Sequence, residues 1–343
     1  MKNRFLLLGL LAAAAVVFAG SVVYNSRVVP EFEGTLSAPV RIVAADNGWD
    51  SQKFHNAVAK FIVENGFDGY VITNATGSTP LNWQAIIAGD VDLDIETWPD
   101  NVLSFEDDVK NGDIIPLSVI VEDTAQGFYV PRYVVHGDPE RGIAPVAPEL
   151  KTVEDLKKYP GVFKDPEDPR KNRIYGAIPG WMIDNVMYNK FLYYGLDEMY
   201  NYFRSGSEAV LFTSLSSAYN LGEPWAGYCW EPAWISGKLD LILLEDAPFD
   251  PELYEKGGCE IPKQALRIVS SNKFASRAPD LVDFFSRYKT GSQKVSEVLA
   301  YLDDTNASHE AVAVWFLKNN DSLLDEWLEP GPAARVREAL SRM

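Results

Sequence analysis

The apolar positions of this chain fall into alternating blocks of two kinds. Val40 to Ala45 is an apolar-rich run, broken only by Arg41 and closed by Asp46-Asn47-Gly48, the pattern of a buried strand. Phe54, Ala57, Val58, Phe61 and Ile62 then recur at three- and four-residue spacing, which predicts a helix capped by Ser51 and ended by Gly66. The alternation continues with a strand over 70–75, a helix over 80–88 and a strand over 91–97. Farther on it predicts a strand over 173–178, helices over 181–194 and 207–220, and a strand over 226–230. Such order predicts an α/β protein with mostly parallel sheets.

Two changes of texture suggest where the chain passes between domains. A turn-rich stretch precedes an apolar strand in "VEDTAQGFYVPRYVV" (121–135), and a second seam lies in "IPKQALRIVSSN" (261–272). Two passages divide the chain into a discontinuous first lobe, 38–125 with 265–343, and an inserted second lobe, 126–264. After the second seam Leu281, Val282, Phe284, Phe285 and Tyr288 share one helical face. "KDPEDPRKNR" (164–173) reads as a polar surface loop, and no internal repeat is visible.

The amino terminus belongs to neither lobe. Lys2 and Arg4 precede an apolar run from Phe5 to Ala19 and the small residues Ala19, Gly20 and Ser21, which is the form of a secretory leader over residues 1–20. Residues 21–37 read as a tether. The alternative is a retained anchor, since Phe5 to Tyr24 is nearly long enough to span a bilayer. Either way the folded part is expected outside the cytoplasm, in the periplasm or its equivalent. The formal charge of −18 and the lack of any Lys/Arg-rich run argue against nucleic acid and anionic membrane surfaces as partners. Cys229 and Cys259 are the two cysteines. They either close a loop of about 30 residues, worth roughly 3–4 kcal/mol on the chain-entropy model, or are two buried thiols.

Candidate chemistry lies in where the nine tryptophans fall. Trp49 ("DNGWDS"), Trp98 ("DIETWPD"), Trp181 ("AIPGWMID") and Trp230 ("GYCWEPAW") all stand at predicted carboxyl ends of strands, the edge at which open α/β sheets bind ligands. Trp315 and Trp327 lie among aliphatics in helical patterns and read as core, Trp83 lies in a helix and Trp225 in a loop. Pro232 suits the first turn of a helix, which places Trp234 about one turn in, as a wall of the site or a support behind Trp230. Clustered aromatic faces in a cleft suit a sugar or a quaternary ammonium group. The latter has no N–H to donate and is selected by ring quadrupoles, at about 0.5–2 kcal/mol per desolvated contact. Gly48 and Gly180 each precede a tryptophan at a strand-to-helix junction, where free backbone N–H groups favour an anion. One pocket of this kind holds a zwitterion. The acidic neighbours Asp50, Glu96, Asp184 and Glu231 read as caps, supports or added charge.

At these residues the chain resembles the glycine betaine/choline-type substrate-binding proteins of ABC transporters. "GW" after the first strand, "ETWPDN", "IPGW" and above all "GYCWEPAWISGKLDLILLEDAPFDP" are similar to that family's blocks in the same order, across about residues 40–330. The resemblance implies a two-lobed periplasmic-binding-protein fold of type II, with a ligand cleft between lobes joined by two hinge crossings. It implies a monomeric, non-enzymatic binding protein without cofactor or metal, which hands a quaternary ammonium compound such as glycine betaine or choline to a membrane permease. It points to Trp98, Trp181 and Trp230 as cage walls, Trp49 as a further wall, and the backbone of Asn47 to Trp49 as a carboxylate contact. Choline-binding members carry an aspartate two positions after the first tryptophan, where this chain has Ser51, with Asp50 one place away; this tilts the expectation toward a betaine.

The competing expectation is an exported carbohydrate-active enzyme or sugar-binding protein that uses the tryptophan platform with Glu96 and Glu231 as paired carboxylates. Serine hydrolysis is weaker, because no G-x-S-x-G occurs and His55, His136 and His309 sit in unrelated contexts, as scattered surface residues do. "GDVDLDIE" offers Asp90, Asp92 and Asp94 at calcium-loop spacing, but Ile95 stands where glycine is required and Asn101 where glutamate is required. It reads instead as a strand with Val91, Leu93 and Ile95 facing inward.

Overall fold

The computed structural model describes residues 38–343; the expected leader and tether lie outside the described residues. No helix among the described residues is long and apolar enough to cross a membrane. The described residues form ten strands: β1 (Val40–Asp46), β2 (Tyr70–Thr76), β3 (Leu93–Thr97), β4 (Ile114–Val121), β5 (Ala125–Pro131), β6 (Asn172–Gly176), β7 (Tyr200–Arg204), β8 (Gly227–Glu231), β9 (Leu241–Leu243) and β10 (Leu266–Ser271). They make two five-stranded sheets, ordered β2-β1-β3-β10-β4 and β7-β6-β8-β5-β9, one for each lobe.

Neither sheet is mostly parallel, as the alternation had suggested. β1 runs parallel to β2 and β3, and β6 parallel to β7 and β8, because helices cross over between them. β10 runs antiparallel to β3 and β4, and β5 antiparallel to β8 and β9. These reversed strands, β5 and β10, are the ones that enter a sheet from the other lobe. The two passages between lobes lie side by side: Thr124 Oγ1 donates to the carbonyl of Gln264 at 3.1 Å and accepts from its N–H at 3.2 Å.

The helix Asp50–Gly66 buries Phe54, Ala57, Val58 and Ile62 at 0–8 % exposure, as its periodicity requires. It is capped differently from expectation. Trp49 is the extended residue that precedes it, and the Ser51 hydroxyl donates to Glu96 instead. Leu281, Phe284, Phe285 and Tyr288 are buried on or just past the helix Pro279–Arg287. The helix Ser292–Thr305 reaches the second lobe, where Lys238 Nζ pairs with Asp303 at 2.6 Å and Asp304 at 2.5 Å.

Strand β3 decides the character of the site. All five of its residues are buried, so the alternation of Leu93 and Ile95 with Asp94 and Glu96 does not separate a core face from a wet one. A strand with neighbours on both sides and covered faces buries every side chain. Here one face carries carboxylates inward. Asp92, just before it, accepts from the Val43 N–H at 2.9 Å and pairs with Arg277.

Candidate functional site

Four tryptophans from both lobes line one cavity. Trp49 and Trp98 follow β1 and β3 in the first sheet; Trp181 follows β6 and Trp230 lies in β8 of the second. Trp49 meets Trp181 edge-to-face, with centroids 5.3 Å apart at 87°, and Trp181 meets Trp230 at 5.2 Å and 81°. Three indoles in sequence at near right angles make three sides of a box. Trp98 lines the same cavity. All four are 3–9 % exposed.

The box is held from behind. Phe212, in the helix Glu208–Leu221, lies 4.7 Å from Trp230 and 5.8 Å from Trp234, and Tyr228 stacks 5.4 Å from Trp230. Trp234 does not line the cavity and is the support of a support. Nor does it sit one turn into its helix. Ala233 stays extended at φ −148° and ψ 154°, so the helix begins at Trp234 and Pro232 precedes it.

Gly48 and Gly180 both take positive φ, +101° and +92°, which turns the chain sharply from strand to helix and aims the following indole into the cleft. At Gly180 space is short as well, since an added Cβ would stand 3.3 Å from Ser78 Cβ of the other lobe. The Thr79 N–H donates to the Gly180 carbonyl at 3.0 Å, and Thr79 Oγ1 accepts from the Met182 N–H at 2.8 Å. Trp181 Nε1 donates to the carbonyl of Asn47 at 2.9 Å.

Two of the three N–H groups of the expected anion contact, those of Asn47 and Gly48, are taken within the protein, and that of Trp49 has no partner among the described residues. The Asn47 N–H donates to Gln52 Oε1 at 2.6 Å, the Gly48 N–H to Asp46 Oδ1 at 3.0 Å, and the Asp50 N–H to Glu208 Oε2 of the second lobe at 2.9 Å. Asn47 still lines the cavity, its side-chain oxygen fixed by Asn82 Nδ2 at 2.7 Å.

Glu96 sits at the centre of the first lobe's contribution. Its Oε1 accepts from Trp49 Nε1 at 2.9 Å, Ser51 Oγ at 2.9 Å and Trp98 Nε1 at 3.1 Å. Its Oε2 is buried without a hydrogen-bond partner, 3.8 Å from the equally unpartnered Nε2 of His55. Burial pushes the Glu96 carboxyl up to about 8 against the pull of those three donors, and holds His55 down to about 3. His55 Nδ1 bonds to the Tyr288 hydroxyl at 2.8 Å. Far from being a surface residue, His55 is fully buried. Asp94, which also lines the cavity, accepts from Gln52 Nε2 at 2.7 Å and is raised by burial to about 6.

Glu231 is exposed and does not line the cavity; its nearest hydrogen-bonding group is the Tyr129 hydroxyl at 3.5 Å. β8 ends there, and alternation turns Glu231 away from the side that Trp230 faces. Its pairing with Glu96 across a glycosidic bond therefore finds no support in the geometry. The sequence reading missed Thr79, Trp83, Asp94, Thr97, Asn101, Val102, Met182, Ile183 and Tyr228, which complete the lining. Tyr228 carried a signal, as a large aromatic within "GYCWEPAW". Trp83 reads in sequence only as a helical residue; its Nε1 is bonded to Asp108 at 2.8 Å while its ring edges the cavity. Trp327 is core at 1 % exposure, whereas Trp315 is only half-buried, stacked on Tyr301 at 4.0 Å.

The family of substrate-binding domains of ABC-type glycine betaine transport systems matches this chain over residues 40–319. Among solved structures, the glycine betaine/L-proline-binding protein of Borrelia burgdorferi superposes with a TM-score of 0.69 at 21 % identity, over 86 % of this chain and 99 % of that one. A choline-binding protein of an ABC transporter, in complex with choline, gives 0.69 at 18 % identity over 88 % and 98 %. The lactococcal OpuAC protein, closed around glycine betaine, gives 0.65 at 16 % identity over 84 % and 99 %. At these identities the likeness is one of fold: two lobes, each with a mixed sheet. No curated protein sequence matches.

Proposed function

Because the chain belongs to the family of substrate-binding domains of ABC-type glycine betaine transport systems, we propose that its tryptophan box is a cation–π cage for a quaternary ammonium compound. The observation that carries this is the perpendicular run of Trp49, Trp181 and Trp230, drawn from both lobes onto one cavity with Trp98. Perpendicular faces suit a roughly spherical onium group, whereas a sugar asks for a flat platform. At about 0.5–2 kcal/mol per desolvated face, four faces supply several kcal/mol, enough to retain a solute that offers no hydrogen-bond donor.

The lobes, taken as 38–125 with 265–343 and 126–264, close over the ligand by bending where Thr124 and Gln264 clasp the two passages. The closed protein then delivers its solute to a membrane permease outside the cytoplasm. It acts by binding rather than by turnover. The test is calorimetric titration with glycine betaine, choline, carnitine, proline betaine and an uncharged sugar. Saturable binding of an onium compound, abolished in Trp98→Ala while the circular dichroism spectrum is kept, supports the reading. Binding of the sugar instead, with hydrolysis, overturns it.

A further inference from the structure

Resting on the quaternary-ammonium reading, we propose that Glu96 determines which onium compounds the cage prefers: a ligand of net positive charge draws this carboxyl into its ionised form and expels its proton, whereas a zwitterion does so less. The inference rests on four features of the site.

The first is position. One carboxyl oxygen receives the indole N–H groups of two cage walls, Trp49 and Trp98, together with Ser51 Oγ. A negative charge there polarises both indoles and makes their faces more attractive to a cation.

The second is an unfilled need. Glu96 Oε2 and His55 Nε2 are both buried without partners, 3.8 Å apart. An ionised Glu96 would lack a counter-charge, because no Lys or Arg is found among the described residues that line the cavity. The titratable groups around it are His55 on the helix Asp50–Gly66, Asp94 two residues back on β3, Tyr288 past the helix Pro279–Arg287, and Asp50 and Glu208 at the lobe junction. His55, held down to about 3, is neutral at physiological pH, and the others are neutral or negative. The missing positive charge is the ligand's.

The third is the resting state. With burial holding its carboxyl near 8, Glu96 carries a proton in the empty site at neutral pH. The proton leaves when a cation arrives, because opposite charges several ångströms apart in a water-poor site favour ionisation.

The fourth concerns the zwitterion. The N–H groups of Asn47, Gly48 and Asp50, which would hold a ligand carboxylate, are already donated to Gln52, Asp46 and Glu208. Of the expected Asn47–Trp49 contact only the Trp49 N–H keeps no partner among the described residues, so a betaine carboxylate gains at most that one of the three bonds, and its negative charge in the cavity opposes ionisation of Glu96. This reverses the tilt toward a betaine that Ser51 suggested.

The experiment is calorimetric titration of the protein with choline and with glycine betaine at pH 6.5, 7.5 and 8.5, in two buffers of different ionisation heat, so that protons released per ligand are counted directly. Choline is expected to release about half a proton or more at pH 7.5 and to gain roughly tenfold in affinity between pH 6.5 and 8.5. Glycine betaine is expected to release fewer protons and to gain less. Glu96→Gln keeps an acceptor for the two indoles but cannot ionise, and should abolish both the proton release and the pH dependence for choline. Choline binding to the unaltered protein with no proton release at any pH overturns the inference while leaving the cage reading intact. An unchanged proton count in Glu96→Gln overturns it as well. Failure of both onium ligands to bind overturns the cage reading and this inference together.

Discussion

Trp181 Nε1 lies 2.9 Å from the carbonyl oxygen of Asn47, so a cage wall supplied by the second lobe is hydrogen-bonded to the first loop of the other. Wall and latch are one residue. The same loop is tied across the junction by the Asp50 N–H to Glu208, at 2.9 Å.

Trp181→Phe keeps an aromatic face but removes that donor, leaving the Asn47 carbonyl without this buried partner. A lost buried hydrogen bond costs about 1–1.5 kcal/mol, so onium affinity should fall roughly five- to tenfold. Calorimetric titration measures this, and a loss confined to the dissociation rate in stopped-flow fluorescence would assign it to the closed state.

Ligand-free stability should depend on pH through Glu96. Its folded value of about 8 lies above the ordinary 4.5, so the folded state holds the proton more tightly. The resulting stabilisation is fully present below about 4.5, declines as pH rises, and is gone above about 8. His55 works the other way below its ordinary 6.5, since the unfolded chain takes up a proton that the folded site refuses. Between pH 6.5 and 8 the Glu96 contribution should drop by about 1.5 kcal/mol, and Glu208, whose carboxyl burial also holds well above its ordinary range, acts in the same direction. Urea unfolding at half-unit pH steps checks this, with Glu96→Gln expected to lose about that much of the fall over the same interval.

Cys229 and Cys259 are free and buried at 0 % and 1 % exposure. Burial also pushes the Cys229 thiol upward, away from the reactive thiolate. A thiol reagent should modify neither in the native protein and both in denaturant, with intact mass showing two labels.

Much of the frame was legible because it rests on local pattern. The periodicity of Phe54, Ala57, Val58 and Ile62 marked a helix whose buried face is the observed one. The carboxyl-end positions of Trp49, Trp98, Trp181 and Trp230 pointed to residues that the fold brings onto one cavity. Long-range pairing was not legible: nothing local distinguishes β10, which returns antiparallel between β3 and β4, from a strand that continues a parallel run. Burial of polar groups was hidden for the same reason. Glu96 and His55 look like surface residues in sequence, and only the covering of β3 on both faces turns them into a buried pair behind the indoles. The occupied N–H groups of Asn47 and Gly48 were equally invisible, because Gln52 and Asp46 satisfy them through side-chain geometry that spacing does not encode.

The central claim, that indole faces hold an onium charge, is tested most directly by a ligand pair of equal shape. Choline and its neutral carbon isostere, 3,3-dimethylbutan-1-ol, fill the same space and differ in the charge alone. Calorimetric titration should show the isostere binding at least about 30-fold more weakly, the loss of roughly 2 kcal/mol that several desolvated cation–π contacts imply. Equal affinity for the two would mean that the box selects by volume and apolar contact, and would contradict the account.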